Sequence, residues 1–203
     1  DTYFEDEKYI TAASQYSRFT ARFPNHPQVP RASFRVCESY GNLSRKSQRD
    51  QQPTGEALNV CRNVAAQYFG NPYADSAATI AGEMIAKLAK RKYEEAQFYM
   101  RINAWDGAVI YFEDLVEEYP ETEWAPRALA GIMEAYGEIA KNSPDLGYEQ
   151  EIEIARERLL TTYPLSPEAD RVRAQMQQRT DTMAADTMIS GVGNRGARTV
   201  PSG

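Results

Sequence analysis

The chain has 203 residues, 42% hydrophobic and 26% charged, with a formal net charge of −6. At a pI near 5.0 and a mean hydropathy of −0.63, with Lys and Arg interleaved among acids, it lacks the basic stripe that nucleic-acid phosphates demand. Its apolar runs fall short of the roughly 20 residues that cross a bilayer, and its one histidine, His26, gives no material for a histidine triad or a two-histidine metal site.

Asp1 opens directly into helical sequence, which reads as a processed or truncated start. Four punctuation marks then recur along the chain: Phe23-Pro24-Asn25-His26-Pro27, Tyr68-Phe69-Gly70-Asn71-Pro72, Tyr119-Pro120-Glu121-Thr122 and Tyr163-Pro164-Leu165-Ser166-Pro167. Their leading aromatics are 45, 51 and 44 residues apart. Eleven residues before them stand Ala12, Ala57, Ala108 and Ile152, and four before them Phe19, Val64, Leu115 and Leu159. Positions at minus eleven, minus four and zero share one helix face. Proline removes an N–H and turns the preceding residue out of the α region, so each mark ends a helix. Amphipathic runs follow at 31–40, 74–101, 125–140 and 168–182.

The unit is therefore helix, turn, helix, and the expected fold is all-α, with tetratricopeptide-like repeats forming a right-handed superhelical solenoid. Ala32, Ala78 and Ala128 are expected where paired helices approach, and Phe34, Tyr40, Phe98, Phe112 and Tyr136 between pairs. The minimal unit repeats at about 34 residues. The excess is assigned to a polar insertion at 41–53, a long helical run at 74–101 and a wide turn at 142–147. Repeats are expected over 1–182, and a flexible Gly- and Arg-rich tail over 183–203.

Cys37 and Cys61 lie 24 apart in helical patterns with no CxxC. They read as buried free thiols, with a helix-to-helix disulfide as the alternative. His26 reads as a turn residue, and the tail glycines lack the strand and GK[ST] of a phosphate loop. The acidic groups at 5–7, 117–118 and 149–153 read as solvated faces. Thr54 is expected to cap the helix beginning near Ala57, with Arg49 and Asp50 pinning the loop before it. No catalytic, metal or cofactor residues are assigned, and the chain reads as a protein-binding scaffold rather than an enzyme. Candidate protein-binding residues are Tyr40, Arg49, Asp50, Trp105, Tyr111, Trp124 and Arg127. Packing within the repeats competes as an explanation for each aromatic. Trp124 follows a turn and is the one expected to be exposed.

Arg49-Asp50-Gln51, Thr54, Glu56-Ala57, Tyr68 and Asn71-Pro72-Tyr73-Ala74 resemble a repeat junction of the BamD (YfiO or ComL) lipoproteins of outer-membrane-protein assembly. Leu88-Ala89, Ala96, Phe98-Tyr99, Arg101, Ala104-Trp105 and Ala108-Val109, closing on Tyr119-Pro120-Glu121-Thr122, are similar to that family's long third repeat and the helix after it. Asn103 departs from the pattern, standing where the family often has glycine. The resemblance spans about 9–167 and implies a scaffold on the periplasmic face of the outer membrane, tethered by an N-terminal lipid anchor absent from this chain along with the first repeat. Implied partners are the BamA-type barrel insertase, other subunits of the assembly complex and unfolded outer-membrane-protein segments. The alternative is another envelope tetratricopeptide scaffold: a secretin pilot, a peptidoglycan-associated coordinator or an accessory subunit of a membrane complex.

Overall fold

A computed structural model describes residues 1–46 and 51–193. The described residues are helical with short connections: α1 (Thr2–Glu5), α2 (Tyr9–Arg22), α3 (Val29–Lys46), α4 (Gln52–Gln67), α5 (Pro72–Arg101), α6 (Trp105–Glu118), α7 (Trp124–Asn142), a 3-10 turn (Pro144–Leu146), α8 (Glu149–Thr162) and α9 (Pro167–Gly193). This is an all-α helix-turn-helix repeat fold. The chain divides into two compact units, Asp1–Ala125 and Pro126–Gly203.

The four aromatic marks do the same mechanical job. Phe23, Tyr68, Tyr119 and Tyr163 are the C-caps of α2, α4, α6 and α8, and each donates its backbone N–H to the carbonyl four residues back, at Phe19, Val64, Leu115 and Leu159. The next residue or two leave the helix, and the chain turns into the following one. Burial raises the phenol pKa of Tyr119 and Tyr163, in keeping with rings turned inward rather than into water. Phe23 differs, being 48% exposed.

Along the same face Ala12, Ala57, Ala108, Val64, Leu115 and Leu159 are buried, which is the seam along which paired helices meet. On the second helices the expected register is off by one at Ala78, which is exposed, while Ala74 and Ala77 are buried. Asn71 accepts the Tyr73 N–H as N-cap, so α5 starts at Pro72, two residues earlier than expected, and Ala77 is the residue that joins the cluster with α3 and α4. Phe98 is half-exposed rather than filling a gap between pairs.

The first unit contains two cores served by one helix. The N-terminal half of α5 gives Ala77, Ile80, Ala81 and Met84 to a cluster shared with Cys37 of α3 and with Ala57, Leu58, Cys61 and Val64 of α4. Its C-terminal half packs on α6, where Tyr93 meets Phe112 at 5.6 Å. The run expected to be unusually long is a 30-residue helix. Between α5 and α6, Asn103 has φ 58°. Only glycine and, less readily, asparagine adopt that left-handed conformation at low cost, which explains why Asn substitutes for the glycine of the resembled pattern.

Three expectations are corrected. Cys37 and Cys61 are not free thiols: they form a disulfide, with Cα atoms 4.8 Å apart, that joins α3 to α4. On a chain-entropy basis, closing a loop of that length contributes about 3.5 kcal/mol. Secondly, much of 41–53 is not an insertion, because α3 runs to Lys46 and α4 starts at Gln52. Ser44 misleads because its hydroxyl is not solvated: Ser44 and Thr54 are fully buried and their hydroxyls lie 2.8 Å apart. Thirdly, Thr54 is therefore not a cap. The N-cap position is Gln51, and Pro53 is the second residue of the helix, in the first turn where a missing N–H costs nothing.

The second unit buries Ala128, Leu129, Ile132, Ala135 and Ile139 of α7 with Ala155 and Leu159 of α8 and Ala169 and Val172 of α9. The wide turn at 142–147 holds the 3-10 turn and Gly147 at φ 61°. Helix α9 continues past Met183 to Gly193, where tail was expected, and the rest of that tail lies outside the described residues.

Candidate protein-binding surface

In the first unit an aromatic strip runs along the contact of α5 with α6. Tyr99 stacks on Tyr111 with ring centroids 4.9 Å apart and an interplanar angle of 21°. The side-chain hydrogen bond that Tyr111 donates to Tyr99, and the nearby Tyr99 charge, raise the Tyr111 pKa. Gly107 makes room for this stack, since a Cβ there would lie 2.9 Å from Cδ1 of Tyr99. Beside it, Phe98 of α5 and Ile102, the C-cap of that helix, are 50% and 53% exposed. They stand four residues apart on one helix face, and the Arg101 guanidinium sits 5.9 Å from the Phe98 ring centre. Lys92 bridges back to α6, with Nζ 2.5 Å from Glu118 and 3.3 Å from Asp114. Desolvation opposes its charge, but hydrogen bonds and attraction from the two carboxylates outweigh it and raise the pKa.

The candidate residues fall unevenly on this frame. Trp105, the first residue of α6, and Tyr111 are half-buried. Trp124 is half-buried rather than exposed, because its ring packs on Tyr93 at 5.2 Å. The turn before it is short enough to bring the side chain back onto α5. Tyr40 packs against the disulfide-containing core. Arg49 and Asp50 lie outside the described residues. In the second unit Arg127 places Nε 4.0 Å from Glu168, a carboxylate only 7% exposed that also accepts from Arg171 at 3.2 Å. Exposed apolar side chains of this unit include Ile154, Leu165 and Met183.

Two features escaped the sequence reading. The first is an open cleft of about 520 Å³ in the first unit, where Pro24, His26 and Pro30 face Gln67 and Tyr68. His26 is held there by the Gln28 N–H, which donates to Nδ1 at 3.1 Å, and by an edge contact with Phe19. Tyr68 and Ser33 hydroxyls pair at 3.2 Å across α4 and α3. A lining that mixes prolines and Val29 with Thr20, Asn25, Ser33 and Gln67 suits a peptide segment rather than a charged small molecule. The second is Lys87, whose Nζ donates to the carbonyl and hydroxyl oxygens of Ser44 at the end of α3. Desolvation lowers its pKa. Neither could be read from spacing, since each depends on which helices become neighbours.

Among the described residues no group of three or more His, Cys, Asp or Glu could hold a metal ion, and no helix is long and apolar enough to cross a membrane. What the surface offers is aromatic, arginine and open-cleft chemistry, the kind used in protein recognition.

The family model described as YfiO, outer membrane lipoprotein, matches residues 1–150. The chain belongs to this family. It is similar to the outer membrane protein assembly factor BamD of Vibrio cholerae serotype O1, 24% identical over 148 residues, covering 68% of this chain and 61% of that protein. The BamD of Caulobacter vibrioides is 25% identical over 152 residues, covering 72% and 50%. That of Xylella fastidiosa strain Temecula1 is 26% identical over 174 residues, covering 81% and 57%. The chain thus spans between half and three fifths of the length of the curated relatives it matches. Membership of the YfiO family places it with lipoproteins of the bacterial outer membrane, on the periplasmic side.

Proposed function

We propose that this YfiO-family chain is a non-catalytic scaffold of outer-membrane-protein assembly that docks on the barrel insertase and receives unfolded outer-membrane-protein segments. The observation that carries the proposal is the family match over 1–150, together with relatives whose own names state a role in outer membrane protein assembly. The surface chemistry supports it. The Tyr99–Tyr111 stack, with exposed Phe98 and Ile102 beside it and Trp105 on the adjoining helix, supplies rigid aromatic anchors at low entropic cost. The cleft beside His26 and Tyr68 has the openness and mixed lining that suit an extended client segment. In this reading Arg127 and Trp124 orient the surfaces around them through Glu168 and Tyr93, Tyr40 braces the core beneath, and Arg49 and Asp50 contribute from the α3–α4 connection.

The test is a pull-down from detergent-solubilised outer membranes with the wild-type chain and with the Phe98→Ala/Tyr111→Ala variant. Wild type recovers the insertase and the variant recovers at least about tenfold less, the loss of one good anchor, with unchanged circular dichroism. Recovery of a different envelope complex without the insertase would sink the proposal.

A further inference from the structure

We infer that this chain is a substrate of a protein dithiol–disulfide oxidant, and that the Cys37–Cys61 bond is made before α5 closes over it. Both cysteines are 0% exposed. Their bond joins α3 and α4 alone, so the pairing of those two helices is sufficient to bring the sulfurs together. Helix α5 is the cover: Ala77, Ile80, Ala81 and Met84 lie in the same buried cluster as the two cysteines. The functional reading uses none of these groups, and the inference does not depend on it.

Disulfide exchange requires a third sulfur to approach a cysteine directly, through a mixed disulfide. One cysteine thiolate attacks a sulfur of the oxidant's disulfide, forming the mixed disulfide and releasing the oxidant's other sulfur as a thiolate. The second cysteine thiolate then attacks the sulfur of the first, forming the Cys37–Cys61 bond and expelling the oxidant as a dithiol. Two electrons pass from the cysteine pair to the oxidant, and the two thiol protons pass, by way of solvent, to the two thiolates of the reduced oxidant. Both steps place the active site of a protein against one of two sulfurs that are fully buried in the closed core. Exchange is therefore confined to the stages before α5 has docked. The periplasmic side of the outer membrane, where family membership places the chain, is a compartment in which such oxidants operate.

Two measurements on the full chain test this. First, the oxidised protein is incubated with excess dithiothreitol, and free thiols are counted by the mass added by a maleimide quench. Reduction in native buffer should be at least about 100-fold slower than in unfolding urea, because exchange waits for opening, and Met84→Ala should accelerate it. Equal rates in buffer and in urea would overturn the inference. Secondly, the reduced, unfolded chain is diluted into native buffer, and a purified protein disulfide oxidant is added either at dilution or after the far-ultraviolet dichroism has settled. Rapid oxidation only on early addition supports the order proposed. Equal oxidation at both times in a chain with native dichroism refutes it. Equal oxidation in a chain that has stayed unfolded upholds it, since α5 then does not close without the bond.

Discussion

Adding one methyl group at Gly107 and at Gly82 should have opposite effects. Both glycines lie within helices, where replacement by alanine gains up to about 1 kcal/mol from backbone entropy. At Gly82 a Cβ meets nothing within 4 Å, so Gly82→Ala should realise most of that gain. At Gly107 the new Cβ would sit 2.9, 3.3 and 3.4 Å from three carbons of the Tyr99 ring. The ring has to retreat by roughly half an ångström to reach ordinary contact, a strain of the kind that costs about 1–3 kcal/mol. Tyr111 already stacks on that ring, which limits where it goes. The net expectation for Gly107→Ala is a loss of up to about 2 kcal/mol, leaving the two variants about 1–3 kcal/mol apart, or roughly 2–12 °C in Tm for a chain of this size. Urea and thermal melts at 222 nm measure the difference, and near-ultraviolet dichroism reports the tyrosine stack. If Gly107→Ala were as stabilising as Gly82→Ala, the ring would not be confined as described.

Ala108→Arg places a charge at a 0% exposed seam position and should cost about 3 kcal/mol or more. Ile110→Arg, two residues on and 59% exposed, should leave the urea midpoint nearly unchanged. Thr54→Val removes one of the two partners of the buried Ser44 hydroxyl, leaving it Lys87, and should lower stability by about 1 kcal/mol in denaturant titrations, whereas Thr54→Ser should restore most of it. The raised pKa of Lys92 contributes stability that is fully present below its ordinary value near 10.5 and is lost as pH rises through the higher folded value. The stability difference between wild type and Lys92→Met should thus hold to about pH 10 and shrink above it. A difference that grew with alkalinity would contradict the Glu118 and Asp114 contacts.

The repeats were legible because their signal is local. An aromatic before or near proline, with a small residue eleven back and an apolar one four back, states both where a helix stops and which face is buried, and Tyr68, Tyr119 and Tyr163 cap their helices as that pattern requires. What was not legible depends on neighbours distant in sequence. The Cys37–Cys61 bond follows from α3 and α4 lying side by side with a register that their spacing of 24 does not encode. Ser44 and Thr54 looked like loop residues because hydroxyls are usually solvated; here they satisfy each other. Trp124 looked exposed because it follows a turn, but Tyr93, 31 residues earlier, is waiting for it. Of the candidate binding residues, the sequence singled out Tyr111 without its partner Tyr99 and missed Phe98 and Ile102 as an exposed pair.

The 30 residues of α5 extend about 45 Å at the rise of an α-helix, and they belong to two cores at once. Most repeats meet at turns, where neighbours can pivot at little cost. Here the first unit has no such pivot between its α3–α4 core and its α6 core, because the connection is a beam rather than a joint. A load applied at the Phe98 end would have to bend that beam or travel along it toward the core that holds the cystine.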